Sequence, residues 1–257
     1  MVDWLIPDAL TGSTTALLVV ASFFTSGLTA AFGIGGGVAL LAILLNVLPP
    51  IVVLPLHGIV QTGSNFGRAV IMRREIRTEI VVWFSIGTAI GITLASLVFV
   101  ALPTEILQIV LGTFILWVLW APGLSNRDIE NRQFLLVGAG AAFCTMFIGA
   151  SGVLVGAFWS VAKLTKQGVV ATHAACISFQ HALKVVAFGF LGFAFKDWIG
   201  LLVAMVLAGF LGTVLGKHVL SRLPENLFAR LFKLTLTALA LRLIWSAVRA
   251  MLATRVG

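Results

Sequence analysis

Side chains able to do chemistry gather in two stretches of an otherwise apolar chain. Within the run 52–71, His57, Gln61, Ser64 or Asn65, and Arg68 recur at helical spacing. His57 and Arg68 are about three helical turns apart and so share a face. The run 168–191 repeats the pattern with His173, then Gln180 or His181, then Lys184. A cation near the centre of a bilayer costs about 2.5–3.5 kcal/mol on insertion scales, so each needs a partner or a wet cavity. None of the nine acids offers one: Asp3, Asp8, Glu75, Glu79, Glu105, Asp128, Glu130, Asp197 and Glu225 all lie at segment ends or in loops. The expected neutralising charge for Arg68 and Lys184 is therefore a visiting anion. The competing reading is that both snorkel to an interface. That is stronger for Arg68, which lies close to Arg73, than for Lys184, which has the apolar run 185–195 beyond it.

Two glycine-bearing breaks adjoin these stretches. Gly33, Gly35, Gly36 and Gly37 separate one apolar segment from the next, and Gly149, Ser151 and Gly152 do the same later in the chain. Glycine admits dihedrals closed to other residues and lets a ligand approach the backbone. Unwound backbone at membrane depth survives only where it is buried in protein or lines a cavity. The helices that follow would aim N–H groups at whatever fills that cavity, as broken-helix transporters do with anions. Close packing through small residues is the alternative. His57 and His173 could donate to a substrate, carry a coupled proton, or hold core hydrogen bonds; histidine changes charge most readily near neutral pH.

No phosphate loop, serine nucleophile elbow, paired carboxylates or haem attachment motif occurs, and no spacing makes a convincing zinc site. The expectation is a protein that is not an enzyme and holds neither cofactor nor metal. Cys144 and Cys176 fall inside apolar runs and read as small core residues.

The elements that must position these residues follow from composition. Of 257 residues, 60% are apolar and only 10% charged, against about 25% charged in a soluble domain. Mean hydropathy is +1.11. Ordinary soluble enzymes, disordered chains and fibrous proteins are excluded. The net charge of +8 is spread too thinly for a nucleic-acid binder, so lipid bilayer rather than nucleic acid is the expected partner. A spanning helix needs about 20 apolar residues. Candidates are 14–32, 52–71, 79–101, 105–121, 133–148, 168–191, 197–216 and 226–248, with two shorter stretches, 36–48 and 152–163, that either span or re-enter. The fold class is an all-α polytopic membrane protein of eight to ten segments. Trp4, Trp83, Trp120 and Trp198 are expected as interfacial anchors. Met1 to Leu10, with Asp3 and Asp8 and no base, does not read as a cleavable signal.

One constant offset lays Gly33 on Gly149, Gly36 on Gly152, His57 on His173 and Arg68 on Lys184; with a few residues inserted, Gly91 falls on Gly212. The chain has only four histidines and two of them coincide. A single membrane domain over 1–257 is expected, with repeat 1 over 14–121, a linker 122–132 and repeat 2 over 133–248. If all ten segments span, the repeats are inverted. Arg73, Arg74, Arg77, Arg127, Arg132, Lys163, Lys166, Lys217 and Arg222 then face the cytoplasm, while Lys196, Arg249 and Arg255 break the rule. Eight spans would make the halves parallel and leave four of these bases outside.

Gly33 to Pro50, in the order glycine motif, short apolar helix and prolines, precedes a polar-studded helix and is weakly echoed in the second half. This resembles the sulfite exporter TauE/SafE family of membrane permeases over essentially the whole chain. The resemblance implies movement of sulfite or organosulfonates across the cytoplasmic (inner) membrane. The second copy departs from the pattern: Ser151 and Val153 replace Gly35 and Gly37, and Thr165 and Lys166 stand opposite Pro49 and Pro50.

The reading is a secondary-type transporter of a small anion working by alternating access. Its expected substrate site is Gly33, Gly35, Gly36, Gly37, His57, Gln61, Asn65 and Arg68 with Gly149, Ser151, Gly152, His173, Gln180, His181 and Lys184. Its rivals are a passive anion channel and a membrane-embedded enzyme subunit. The exact substrate, direction and oligomeric state, a homodimer included, stay open.

Overall fold

The computed structural model describes residues 5–32, 35–99, 103–120, 130–149, 151–156, 164–219 and 225–256. Among them ten α-helices follow in order: α1 Gly12–Phe32, α2 Gly36–Leu45, α3 Pro50–Ile71, α4 Thr78–Val98, α5 Thr104–Trp120, α6 Phe134–Ile148, α7 Gly152–Gly156, α8 Lys166–Phe190, α9 Ile199–Val219 and α10 Glu225–Val256. No strand occurs among the described residues. This is the all-α polytopic class expected, because in lipid a chain must satisfy its backbone polar groups within each segment.

Among the described residues, four segments are long and apolar enough to cross a membrane on those grounds alone: Gly12–Ala30, Thr78–Val98, Gln167–Phe190 and Phe195–Leu215. Helix α3 has the length, but its polar residues dilute its hydropathy. Helix α2 has 10 residues, about 15 Å of rise against a hydrocarbon core of about 30 Å. The surface is inverted relative to a water-soluble protein. Leu97, Leu136 and Phe190 are exposed, whereas His57, Arg68, His181 and Lys184 are buried. Trp83 and Trp120 are exposed, but Trp198 is not an interfacial anchor: it packs in the main core beside Leu201 and Leu202. Trp4 lies outside the described residues.

Local chemistry sets where the polar helices begin. Pro49 is extended and Pro50 takes the first helical position of α3, where a missing N–H costs nothing and the fixed φ is already helical. Helix α8 starts by another device, the Thr165 hydroxyl accepting from the Gly168 N–H at 3.0 Å. At the two breaks Gly35 has φ 112° and Gly149 φ 86°, conformations that disfavour a side chain.

The most extensive pairings are α1 with α9, α4 with α6 and α3 with α8, followed by α5 with α10. Small residues let the first two close: a methyl on Gly91 would strike the Ala139 carbonyl of α6, and one on Gly212 would strike the Phe23 carbonyl of α1. Such contacts drive helix association where lipid is as apolar as the side chains. Helix α2 lies inside, with Val38 to Ala42, Leu44 and Leu45 all buried, and the α3–α8 pair stands beside it carrying the polar stripes.

Candidate functional site

On α3 the stripe faces inward: His57, Gln61, Ser64, Asn65 and Arg68 are all buried, Arg68 to 3% exposure. The i, i+3 and i, i+4 spacing links Arg68, Asn65 and Gln61 into one chain. Arg68 Nη1 donates to Asn65 Oδ1 at 3.0 Å, and Asn65 Nδ2 donates to the Gln61 carbonyl at 2.8 Å and to Gln61 Oε1 at 3.0 Å. Gln61 ends against Gly37, where an added methyl would stand 3.2 Å from Gln61 Nε2. His57 lies 2.8 Å through Nε2 from the Gly37 carbonyl. A carbonyl can only accept, so His57 carries a proton on Nε2. Its Nδ1 has no partner among the described residues.

On α8, Lys184 is fully buried. Its Nζ donates to the Gly149 carbonyl at 3.1 Å, an oxygen that also accepts from Thr145 Oγ1 at 3.2 Å. Ser151 Oγ donates to Gln180 Oε1 at 3.1 Å, and Gln180 Nε2 is unpartnered among the described residues. His181 meets His57 edge to face, with ring centroids 5.5 Å apart and planes at 80°. His173 is buried and lies near Gly152, whose added methyl would be 3.5 Å from His173 Nε2.

The stripes and breaks enclose a cavity of about 30 Å³ open to the centres of water-sized molecules, lined by Thr29, Gly35, Gly37, Val38, His57, Gln61, Asn65, Gly152, His173, Ile177 and His181. A buried water needs roughly 10–15 Å³ of such space, so the cavity has room for about two waters. It joins residues of both halves of the chain. Arg68, Lys184, Gly149, Ser151 and Gln180 stand behind this lining. Gly36 serves packing instead: a methyl there would run into the Thr25 carbonyl and Thr29 Oγ1 of α1. Gly33 lies outside the described residues. Thr29, Val38 and Ile177 line the cavity without having been marked by sequence. Thr29 gave no signal because its hydroxyl already bonds the Thr25 carbonyl at 3.0 Å within its own helix, an ordinary role for a helical threonine.

Neither cation has snorkelled, and among the described residues neither is paired with a carboxylate. Arg68 Nε, Arg68 Nη2 and Gln180 Nε2 are buried donors without acceptors among those residues. Such groups cost about 1–3 kcal/mol each when left unmade, and a guest rich in acceptor oxygens is what would satisfy them. No three His, Cys, Asp or Glu side chains gather to hold a metal among the described residues. Both cysteines are free, Cys176 buried and Cys144 half-buried.

Comparison with known proteins agrees with this architecture. The model of a family described as sulfite exporter TauE/SafE matches residues 18–243. A Haemophilus influenzae protein described as a probable membrane transporter protein is 26% identical over 189 residues, covering 69% of this chain and 74% of its own length. No solved structure matches.

Proposed function

Because the chain belongs to the sulfite exporter TauE/SafE family, a family of membrane transporters, we propose that it carries a small oxyanion, sulfite or an organosulfonate, across the cytoplasmic membrane. The observation that carries the reading is the burial of Arg68 and Lys184 beside a polar cavity with no carboxylate paired to either among the described residues. An entering anion supplies the missing charge, and Arg68 and Lys184 set the potential that attracts it. His57, Gln61, Asn65, His173 and His181 present polar atoms at the wall, while Gly35, Gly37 and Gly152 let the guest approach the backbone. Gln180 and Ser151 hold the second break from behind.

Transport proceeds by alternating exposure of this site, with two repeats moving against one another. The reciprocal packing of α1 on α9 and α4 on α6 supports the repeat reading. So do the offset-related contacts Gly91–Ala139 and Gly212–Phe23. The driving force is an ion gradient, the membrane potential or the anion gradient itself.

The test is counterflow. Purified protein in liposomes loaded with unlabelled sulfite should accumulate labelled sulfite from outside, and addition of unlabelled sulfite outside should collapse the uptake. Fast flux without such exchange would replace the carrier by a channel. No sulfite-dependent signal of either kind would remove the oxyanion reading.

A further inference from the structure

We propose that Arg68 seats the anion through one edge of its guanidinium, so that the site selects guests presenting two acceptor oxygens side by side. This rests on the oxyanion reading above and deepens it. The three guanidinium nitrogens are not equally engaged. Nη1, on the Cδ side, is bonded to Asn65 Oδ1 at 3.0 Å. Nε and Nη2 are both buried and both without a partner among the described residues. These two form the side edge of the guanidinium plane, where two N–H bonds run parallel. That edge matches a planar pair of oxygens and cannot be matched by a single spherical acceptor.

The bond to Asn65 fixes the plane. Asn65 is itself held by Gln61 Oε1 and the Gln61 carbonyl, so the open edge is pre-oriented from the helix that carries it. Asn65 and Gln61 line the cavity and Arg68 is bonded to Asn65, so the guest meets the edge beside these two amides while they keep the plane fixed. Lys184 differs: its ammonium already donates to the Gly149 carbonyl, and an ammonium holds an anion as a point charge with no preference for paired oxygens. Of the two buried cations, Arg68 therefore carries the discrimination and Lys184 the charge.

The experiment measures binding to the full-length protein in detergent by thermal shift and calorimetry, in nitrogen-purged buffer. Its probes are sulfite, methanesulfonate and bromide. Wild type should bind sulfite and methanesulfonate and ignore bromide at the same concentrations. Arg68→Lys keeps the charge and loses the edge; it should bind sulfite about tenfold or more weakly and narrow the preference over bromide. Wild type that binds bromide as tightly as sulfite overturns the inference without recourse to any variant, which covers the case where Arg68→Lys fails to fold. Sulfite affinity unchanged in a monodisperse Arg68→Lys protein also overturns it and leaves the transport reading intact. Wild type that binds none of the three overturns both.

Discussion

The stripe on α3 and the stripe on α8 have matching residue types at matching positions, yet they are bonded in opposite ways. On α3 the cation is tied within its own helix, Arg68 to Asn65 to Gln61, and two of its three guanidinium nitrogens are open. On α8 the cation reaches off its helix to the break between α6 and α7, where Lys184 holds the Gly149 carbonyl. The breaks differ in the same sense. Gly36 is pressed against the Thr25 carbonyl, whereas its counterpart Gly152 meets nothing closer than His173 Nε2 at 3.5 Å. The first half thus has a tightly packed glycine at Gly36 and an unsatisfied cation. The second has a roomier one at Gly152 and a tethered cation, although Gly149 in the same break is tight against Leu54 and Leu41. Matching residue types at matching positions can fix which side chains face inward while leaving their division of labour to tertiary contacts.

The largest expected effect tests the tight break. Gly36→Ala puts a methyl into the Thr25 carbonyl, and backbone cannot rotate away as a side chain does. Helix α1 or α2 must shift, at a cost of about 3 kcal/mol, read as a drop of roughly 5–10 °C in the thermal midpoint in detergent. An unchanged midpoint would mean that the first break is no tighter than the second.

Next comes the tethered cation. Lys184→Met keeps the length of the side chain and removes a buried charge whose desolvation is not offset by a carboxylate. Gly149 keeps its bond from Thr145 Oγ1 at 3.2 Å, so the loss of one donor is tolerable. The variant should gain about 1 kcal/mol of stability while sulfite counterflow falls by at least about tenfold. Arg68→Met should gain less, because it strips Asn65 Oδ1 of its partner. A Lys184→Met protein that is less stable than wild type would make the lysine a structural staple of the second break and reverse the comparison.

How much of this was legible in sequence depends on how local the cause is. Helix α1 begins at Gly12 against an expected 14, α4 at Thr78 against 79, and α5 runs Thr104–Trp120 against 105–121. Long apolar runs bounded by polar or proline residues leave little freedom in lipid. Helix α10 continues to Val256, beyond the expected 248, because Arg249 and Arg255 end an apolar run without ending a helix; arginine is a good helix former. The inward stripes were legible too, since spacing alone fixes a shared face. What escaped depends on which helices meet. The constant offset pairs Arg68 with Lys184, and their different bonding emerges only from the approach of α8 to the Gly149 break. Gly36 read like its neighbours until α1 lay across it. Trp198 read as an anchor because position along a segment says nothing about what packs over it.

The smallest stability effect belongs to the loose break and isolates its role. In Gly152→Ala the new methyl would sit 3.5 Å from His173 Nε2, 3.7 Å from its Cε1 and 3.9 Å from Ile177 Cδ1, all ordinary contact distances. Alanine also has the better helix propensity, by up to about 1 kcal/mol in a helix interior and less at a first turn. The thermal midpoint should therefore stay within about 0.5 kcal/mol of wild type. Yet Gly152 lines a cavity of only about 30 Å³, so the methyl removes space that a guest would need, and sulfite affinity should fall severalfold. A midpoint that drops as far as that of Gly36→Ala would show the two breaks equally tight. An unchanged affinity would place the bound anion away from the second break, on the Arg68 side of the cavity.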